Sequence, residues 1–358
     1  MVSLDKIFAN SNLDAIFIAN SFNIKYCSGY LADYCYVVIS KTGKKFYFTD
    51  GRFIIEAKRD LGKDWKVIEI TPSNAEEIIK EQLKKLKFKK IGFDSDLTHK
   101  EYLFITENLL ADFERVDITG TIIEMRAIKS EYEIECIKKA QRIAEKSLEE
   151  TKMCIREGMT ELELCAKLEY FMKINGSLKP SFDTIVAFGE NSAIAHAKPS
   201  SRKLKAGDVI LIDFGATYNG YCSDMTRTFV YGYCTEEIEN LYNSVLGANE
   251  IAINCIRSGI PPREADRVAR NFLDLHRLSH YFNHSLGHGV GLEIHEYPAL
   301  SSRVTTDDRL QDGMVITIEP AVYIEGLCGI RIEDMILVNG ANAINLTSSN
   351  KNLEIIKN

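Results

Sequence analysis

The sequence has no apolar run that approaches the ~18 residues needed for a membrane-spanning helix. Charged residues at Asp5, Lys6 and Asp14 interrupt its beginning, so no signal peptide is expected there. The nine cysteines are scattered along the chain without a CxxC pair. This pattern favours reduced thiols in a cytoplasmic protein over disulfides or a zinc ribbon. Fixed-period repeats and low-complexity segments are absent as well.

An excess of positive charge is also missing. The chain carries 44 basic and 51 acidic residues, a formal net charge of −7, which argues against nucleic acid as a main partner. With 45% hydrophobic and 27% charged residues, the composition is that of an ordinary globular protein. The length of 358 residues predicts a chain of about two domains.

The first part of the chain alternates between predicted strands and predicted helices. Strands are predicted at residues 13–19, 36–39, 45–48 and 90–93, and helices at residues 74–86 and 101–110. Such alternation is typical of an α/β layer domain, which we assign to residues 1–122. The second domain then covers residues 123–358.

The second domain is predicted to begin with two helices. Ser130 with Glu133 forms one capping-box start, and Thr160 with Glu163 forms the other. Apolar residues recur at helical spacing after each start. In the second helix the expected buried stripe consists of Leu162, Cys165, Leu168, Phe171 and Met172. Two further helical patterns, at residues 236–257 and 262–275, lie between short β runs.

Residues 209–228 are predicted to form a β-hairpin. Its first half is a short apolar run, and Asn219-Gly220 is a strong signal for a two-residue turn. This turn would pair position 213 with position 226 and bring Asp213 and Asp224 to one face. Two carboxylates that close need a metal ion, or one of them must hold a proton. The alternative is that one aspartate caps the hairpin and faces water.

Three histidines, His284, His288 and His295, fall within twelve residues. Glycines at positions 287, 289 and 291 remove side chains around His288 and permit close backbone approach. A single histidine is most often a structural or surface residue. This grouping instead favours a metal ligand or a proton carrier.

Two glutamates are associated with apolar strands near the end of the chain. Glu319 ends one strand and Glu333 lies in another, and a turn centred on Gly326 would set them opposite each other on one face. Arg331 would share that face and donate to the carboxylate of Glu333. The alternative is an ordinary Arg–Glu pair on a solvated strand.

Four carboxylates and one imidazole are therefore candidates for one site. They are Asp213, Asp224, His288, Glu319 and Glu333. An oxygen-rich set with a single nitrogen suits a pair of Mn²⁺, Fe²⁺, Co²⁺ or Zn²⁺ ions better than a structural zinc. Four negative ligands are too many for one divalent ion but balance two. Because such a pair activates water near neutral pH, the set predicts metal-assisted hydrolysis.

These motifs resemble those of the pita-bread metallopeptidases, the family of methionine aminopeptidase, aminopeptidase P and prolidase. The string HSLGHGVGLEIHEYP resembles the family signature HxxGHGxGLxxHExP, and GMVITIEPAVY and GIRIEDMILV resemble its last two ligand motifs. NSFNIKYCSGY and FYFTDGRF are similar to the creatinase-type N-terminal domain of aminopeptidase P and prolidase. The resemblance implies an α+β fold in which a smaller α/β creatinase-type domain precedes a pita-bread catalytic domain.

The resemblance also implies the metal ligands. Asp213 would bind one ion, His288 and Glu319 the other, and Asp224 and Glu333 would bridge the two. Manganese is the usual metal in this branch of the family, with Co²⁺, Zn²⁺ or Fe²⁺ as alternatives, and homodimers are common.

Further roles follow from the same resemblance. Glu319 would accept the proton of the attacking water. His295, helped by His196 and His284, would hydrogen-bond the substrate or the developing tetrahedral centre. Arg331 would orient the carboxylate of Glu333.

The expected substrates are peptides with proline in second position. Prolidases that resemble this chain often carry an arginine directly after HExP, which grips the dipeptide carboxylate. Here that position is Ala299, although Arg303 is close in sequence. We therefore expect an Xaa-Pro aminopeptidase, with Xaa-Pro dipeptidase as the alternative. A non-catalytic binding module and a metal-free amidinohydrolase like creatinase are disfavoured because all five ligand residues are present.

Overall fold

The computed structural model describes residues 4–357 of the chain, which form two compact units. The division falls after Arg126, within the helix Thr119–Ala127. The domain limits from the sequence, 1–122 and 123–358, put the boundary earlier in this helix and stay a prediction. Residues 1–3 and 358, which those limits include, lie outside the described residues.

The first unit is built on one mixed sheet of six strands. In spatial order the strands are Trp65–Glu69, Lys45–Thr49, Cys35–Ser40, Ala15–Ile18, Lys90–Phe93 and Glu114–Asp117. The helices are Asp5–Ser11, Ser21–Ser28, Ile54–Asp60, Ala75–Lys85 and His99–Leu103, the last of which continues as the π-helix Phe104–Leu109. The strands and helices predicted for this unit are confirmed, with small shifts at their ends.

The core of the first unit lies between this sheet and its helices. Phe17, Phe48 and Ile91 of the sheet are buried together with Ile79 and Leu83, which lie four residues apart on the helix Ala75–Lys85. Residues at this spacing share one face of a helix, so the helix buries that face against the strands.

Two larger and two smaller sheets make up the described strands of the second unit. The four-stranded sheet has the spatial order Ile355–Ile356, Met225–Tyr231, Val209–Phe214 and Ile185–Phe188. The five-stranded sheet has the order Glu296–Leu300, Gly287–Gly289, Val315–Ile318, Asp334–Asn339 and Asn342–Asn345. The smaller sheets pair Thr217–Tyr218 with Tyr221–Cys222, and Ala321–Ile324 with Cys328–Arg331.

Each larger sheet packs against its own pair of helices. Glu131–Lys152 and Glu161–Ile174 share a core with the four-stranded sheet, whereas Glu236–Cys255 and Pro262–Leu275 share one with the five-stranded sheet. Short 3₁₀ helices occur at Gly189–Ala193 and Ser279–Tyr281. Sheets and helices thus mix as the predicted α+β class requires. Among residues 4–357, every helix is too short or too polar to cross a membrane.

Both predicted capping boxes are confirmed, but one predicted buried stripe is wrong in part. Leu162 is 54% exposed, and the apolar residues that the helix Glu161–Ile174 buries fully are Leu164, Leu168 and Met172. The reason is that Glu161 is itself buried at the first helical position. The next residue is rotated by about 100° around the helix axis, and it therefore points away from the core.

The buried carboxylate of Glu161 connects this helix to the segment of residues 188–200. One oxygen accepts hydrogen bonds from the backbone N–H of Phe188 at 2.8 Å and from the side-chain amide of Asn191 at 3.0 Å. The other accepts from the backbone N–H of Ser200 at 2.9 Å and from its hydroxyl at 2.5 Å. Four donors therefore depend on one side chain that has no exposed surface.

We expect the substitution Glu161→Ala to destabilise the protein by about 3 kcal/mol, because it leaves buried donors without an acceptor. Urea denaturation measures this change. The control is Glu149→Ala, since the Glu149 side chain is 62% exposed and forms an ion pair with Lys152. Equal stability of the two variants would contradict the role given to Glu161.

Candidate active site

All nine residues singled out in the sequence line one cavity of about 830 Å³ in the second unit. They are Asp213, Asp224, His288, Glu319, Glu333, His295, His196, His284 and Arg331. The candidate residues come from both larger sheets, from the two-stranded sheet that holds Arg331, and from segments between strands. Convergence of this kind is what a catalytic site assembled from distant segments requires.

The first hairpin brings Asp213 and Asp224 to the cavity. Asn219 and Gly220 have φ values of 51° and 88°, as a two-residue turn of type I′ needs, and Asp213 pairs with Thr226. The predicted register is therefore confirmed. The pairing is interrupted between the larger sheet, which ends at Phe214, and the small sheet, which begins at Thr217. There the backbones approach so closely that a Cβ atom on Gly215 would overlap the carbonyl oxygen of Ser223. Only glycine fits at this position.

The second hairpin places Glu319 and Glu333 where the strand pairing is also interrupted between two sheets. Ile318 pairs with Asp334 in the five-stranded sheet, and Ala321 pairs with Arg331 in the adjoining two-stranded sheet. Both pairings follow one register, which is the register predicted from the turn at Gly326. The two glutamates lie between them, and their N–H groups donate elsewhere: Glu319 to the carbonyl of Leu286 and Glu333 to that of Thr226.

His288 lies on the strand Gly287–Gly289 and directs one ring nitrogen at the carboxylates. Its Nδ1 lies 3.0 Å from the carbonyl oxygen of Gly289, a contact that assigns the proton to Nδ1. Nε2 then keeps its lone pair, and it lies 3.6 Å from Asp224 Oδ2 and 3.6 Å from Glu319 Oε1. A neutral imidazole in this tautomer is the form that ligates a metal.

The geometry and the charge balance both fit divalent cations. Ligand atoms of Asp224, His288 and Glu333 all lie within 4.8 Å of one another. Oδ1 of Asp213 is buried without a hydrogen-bond partner, which is unusual for a carboxylate oxygen. A cation in this cluster would satisfy the unpaired atom and reduce the repulsion between the acidic groups.

The protonation behaviour of the carboxyl groups agrees with this fit. Burial, followed by the charge of Glu333, raises the pKa of Asp224 and of Glu319 well above the ordinary values. Burial and the charge of Asp213 raise the pKa of Glu333 to about 8. Ionised carboxylates this close together are unfavourable without added positive charge, which metal ions supply.

Arg331 contacts a different carboxylate from the one predicted. Its Nη2 donates to Asp213 Oδ2 at 2.5 Å, and its Nε donates to the hydroxyl of Thr226 at 3.0 Å. Glu333 instead accepts from the hydroxyl of Thr226 at 2.7 Å. The predicted Arg331–Glu333 contact is therefore wrong. The strand Cys328–Arg331 ends before Glu333, so strand alternation no longer relates the two side chains.

The three remaining histidines surround the cluster. The ring centroid of His295 lies 4.3 Å from that of His288, and His284 Nδ1 lies 3.8 Å from Glu319 Oε2. His196 lines the same cavity and is exposed. Burial and the charge of Arg331 lower the pKa of His284 to about 4, and burial followed by His196 lowers the pKa of His295. Both rings are therefore neutral at pH 7.

Two functional residues were missed in the sequence. Thr226 donates a hydrogen bond to the carboxylate of Glu333 and pairs with Asp213 across the hairpin. The predicted register therefore already placed Thr226 on the face of the hairpin that carries Asp213. Tyr323 is buried; its hydroxyl accepts a hydrogen bond from Arg331 and lies 3.0 Å from His284 Nε2. It lies two residues beyond the pairing partner of Arg331, a spacing that signals a shared face.

The position after HExP also faces the cavity, but the suggested replacement for its arginine does not. Ala299 is among the cavity-lining residues. Arg303 is exposed and lies outside the set of described residues that line the cavity. Proximity in the sequence therefore does not make Arg303 a substitute.

Comparison with known proteins gives matches over nearly the whole chain. The family model of metallopeptidase family M24 matches residues 135–340, and that of the creatinase/prolidase N-terminal domain matches residues 2–128. An Xaa-Pro dipeptidase from Pyrococcus furiosus is 37% identical over 355 residues, which are 98% of each chain.

Solved structures with the same fold carry two different names. An Xaa-Pro dipeptidase from Bacillus anthracis has a TM-score of 0.91 and 36% identity, with 98% of each chain covered. An X-Pro aminopeptidase from Thermotoga maritima has a TM-score of 0.91 and 35% identity, and covers 98% of this chain and 100% of its own. The predicted creatinase-type and pita-bread domains are thereby confirmed, and the chain belongs to metallopeptidase family M24.

Proposed function

We propose that this chain is a metal-dependent peptidase that hydrolyses Xaa-Pro dipeptides. The observation that carries the proposal is the convergence of Asp224, Glu319 and Glu333 on Nε2 of His288 inside one cavity. A metal-dependent hydrolase needs such an oxygen-rich cluster beside a cavity that admits the substrate.

Similarity to named relatives supports the dipeptide as substrate. The Pyrococcus furiosus and Bacillus anthracis proteins, both similar along nearly the whole chain, are named Xaa-Pro dipeptidases. This activity was the alternative in the sequence analysis. We now rank it above the aminopeptidase that the sequence alone favoured.

Five residues would hold the metal: Asp213, Asp224, His288, Glu319 and Glu333. Two divalent cations bound there would polarise the scissile carbonyl and lower the pKa of a water molecule. Mn²⁺ is our first choice because carboxylate oxygens dominate the donor set, and Co²⁺, Zn²⁺ and Fe²⁺ also accept one imidazole nitrogen. Arg331 donates to one oxygen of Asp213, and Thr226 donates to one oxygen of Glu333. These hydrogen bonds fix the orientation of the two carboxylates.

In this proposal the protein supplies the base and the hydrogen-bond donors. The Glu319 carboxylate accepts the proton of the attacking water, as a base at the edge of the cluster can. The rings of His295 and His196 donate to the carbonyl oxygen as negative charge develops on it. His284 contacts Tyr323 through Nε2 and lies beside Glu319, so we assign it to positioning of the base.

A second candidate function is that of an Xaa-Pro aminopeptidase. The specific observation in its favour is Ala299, whose small side chain lines the cavity where an arginine would bind a dipeptide carboxylate. A cavity without that arginine leaves room for a longer peptide. A similar solved structure, that of the Thermotoga maritima protein, is named an X-Pro aminopeptidase, which also supports this candidate.

Comparison of Ala-Pro with Ala-Pro-Ala distinguishes the two functions. We expect kcat/KM for the dipeptide to exceed that for the tripeptide by about tenfold or more, equivalent to at least 1.4 kcal/mol of transition-state stabilisation. Ala-Ala is the control for the proline requirement. Preferred cleavage of the tripeptide would establish the aminopeptidase instead.

Removal of metal should abolish hydrolysis. We expect dialysis against a chelator to reduce turnover of Ala-Pro to background, and addition of Mn²⁺ to restore it. The same addition should raise the melting temperature, because an ion that binds only the folded chain stabilises it by mass action. Full activity in protein shown by elemental analysis to be metal-free would disprove metal dependence.

Glu319→Gln should leave the fold intact and lower kcat by about 10²- to 10⁴-fold, the usual contribution of general-base catalysis. Steady-state kinetics on the metal-loaded variant measure the loss, and circular dichroism and metal content show whether fold and ligation persist. Glu325→Gln is the matched control, because Glu325 lies in the exposed turn of the same hairpin. Near-normal turnover of Glu319→Gln would remove Glu319 from the mechanism.

A further inference from the structure

An Xaa-Pro dipeptide carries a carboxylate on the residue that follows the scissile bond. The cavity that would receive it is lined by Glu169 and Asp183 in addition to the four carboxylates among the five candidate metal ligands, and the proposed cations would balance only those four. An anionic substrate end is repelled by such surroundings unless a cation or strong donor compensates. A dipeptidase therefore needs a positive group at a defined place in this cavity.

Among the described residues, the lysine and arginine side chains that line the cavity are Arg331 and Lys198. Arg331 is buried, and its guanidinium donates to Asp213, Thr226, Tyr323 and the carbonyl of Ala195. These acceptors occupy all three of its nitrogens. Arg331 is thus committed to the protein and has little capacity for a substrate.

Lys198 is in the opposite situation. It is exposed at the cavity, and within residues 4–357 its ammonium group forms neither an ion pair nor a hydrogen bond. A lysine side chain is long and flexible, and its three donors can meet a carboxylate from several directions. The group is therefore available to an anion that enters the cavity.

The backbone that carries Lys198 is held firmly on both sides. Ala197 is 6% exposed and packs with Ile185 and Leu211. Leu211 lies on the same strand as Asp213, and Ile185 lies on the neighbouring strand. On one side, the carbonyl of Ala195 accepts from Arg331, and on the other, Ser200 is bound to the buried carboxylate of Glu161. A side chain that starts from a fixed backbone loses less entropy when it binds.

We propose that Lys198 binds the C-terminal carboxylate of the Xaa-Pro dipeptide and so selects dipeptides over longer peptides. This inference rests on the proposed function, because it presupposes that Xaa-Pro dipeptides are cleaved. Lys198 takes the part that an arginine after HExP would play, from a different segment of the chain. The same charge attracts the carboxylate of free proline, the product.

The test compares Lys198→Met with the parent enzyme on Ala-Pro and on Ala-Pro amide, which lacks the carboxylate. We expect KM for Ala-Pro to rise about 10- to 100-fold, as for loss of a charged hydrogen bond, with kcat changed by less than about threefold. KM for the amide should stay unchanged. Lys198→Arg should keep most of the affinity, and the inhibition constant of free proline should rise in Lys198→Met alone.

Lys203→Met is the matched control, since Lys203 is exposed, lies outside the cavity lining and carries the same charge. It should leave both KM values unchanged. An unchanged KM for Ala-Pro in Lys198→Met would overturn the role of Lys198 while the proposed function stands. A parent enzyme that cleaves only longer peptides, or neither substrate, would overturn the proposed function and this inference with it.

Discussion

Repulsion between carboxylates in a site with little access to water is the constraint on which the rest of the structure depends. Asp224 and Glu333 are 4% and 2% exposed, and the charge of Glu333 raises the pKa of Asp224 and of Glu319. Buried charges of one sign cost several kcal/mol when nothing compensates them. Arg331 neutralises Asp213, and Thr226 supplies one hydrogen bond to Glu333, but neither offsets the whole acidic set. Divalent cations at the proposed site would offset the residual imbalance.

The fold keeps these groups in place through two hairpins of similar construction. In each, a single register runs through two sheets, and the acidic residues stand where the pairing is interrupted: Asp224 in the first, Glu319 and Glu333 in the second. At an interruption the backbone N–H groups turn to other segments, as that of Glu333 does to Thr226. The side chains can then point into a cavity without loss of the flanking strands.

Those features that local chemistry determines could be predicted from the sequence. Turn residues fix the register of a hairpin, so Asn219-Gly220 and Gly326 sufficed to relate Asp213 to Thr226 and Glu319 to Glu333. The donor types then indicated a metal-dependent hydrolase. The α+β class followed from motifs that resemble a known family, since spacing alone does not specify how two sheets combine.

The errors arose where a residue depends on distant segments. Arg331 donates to Asp213 because its strand ends before Glu333, and a sequence does not show where a strand ends to within one residue. Leu162 faces outward because Glu161 is buried, and Glu161 is buried because it serves donors up to 39 residues away. Such contacts exist only after the chain has folded.

Glu161 also shows how stability and specificity can be joined in this fold. Its carboxylate lies at the start of a core helix, yet its partners Asn191 and Ser200 bracket the segment that carries His196 and Lys198. A segment anchored only by surface contacts would leave those two side chains in many positions, and substrate binding would have to order them. Because a buried acceptor holds the segment, its backbone is ordered when the protein folds. The entropic cost of ordering the backbone that carries these two proposed substrate-binding residues is then included in the free energy of folding.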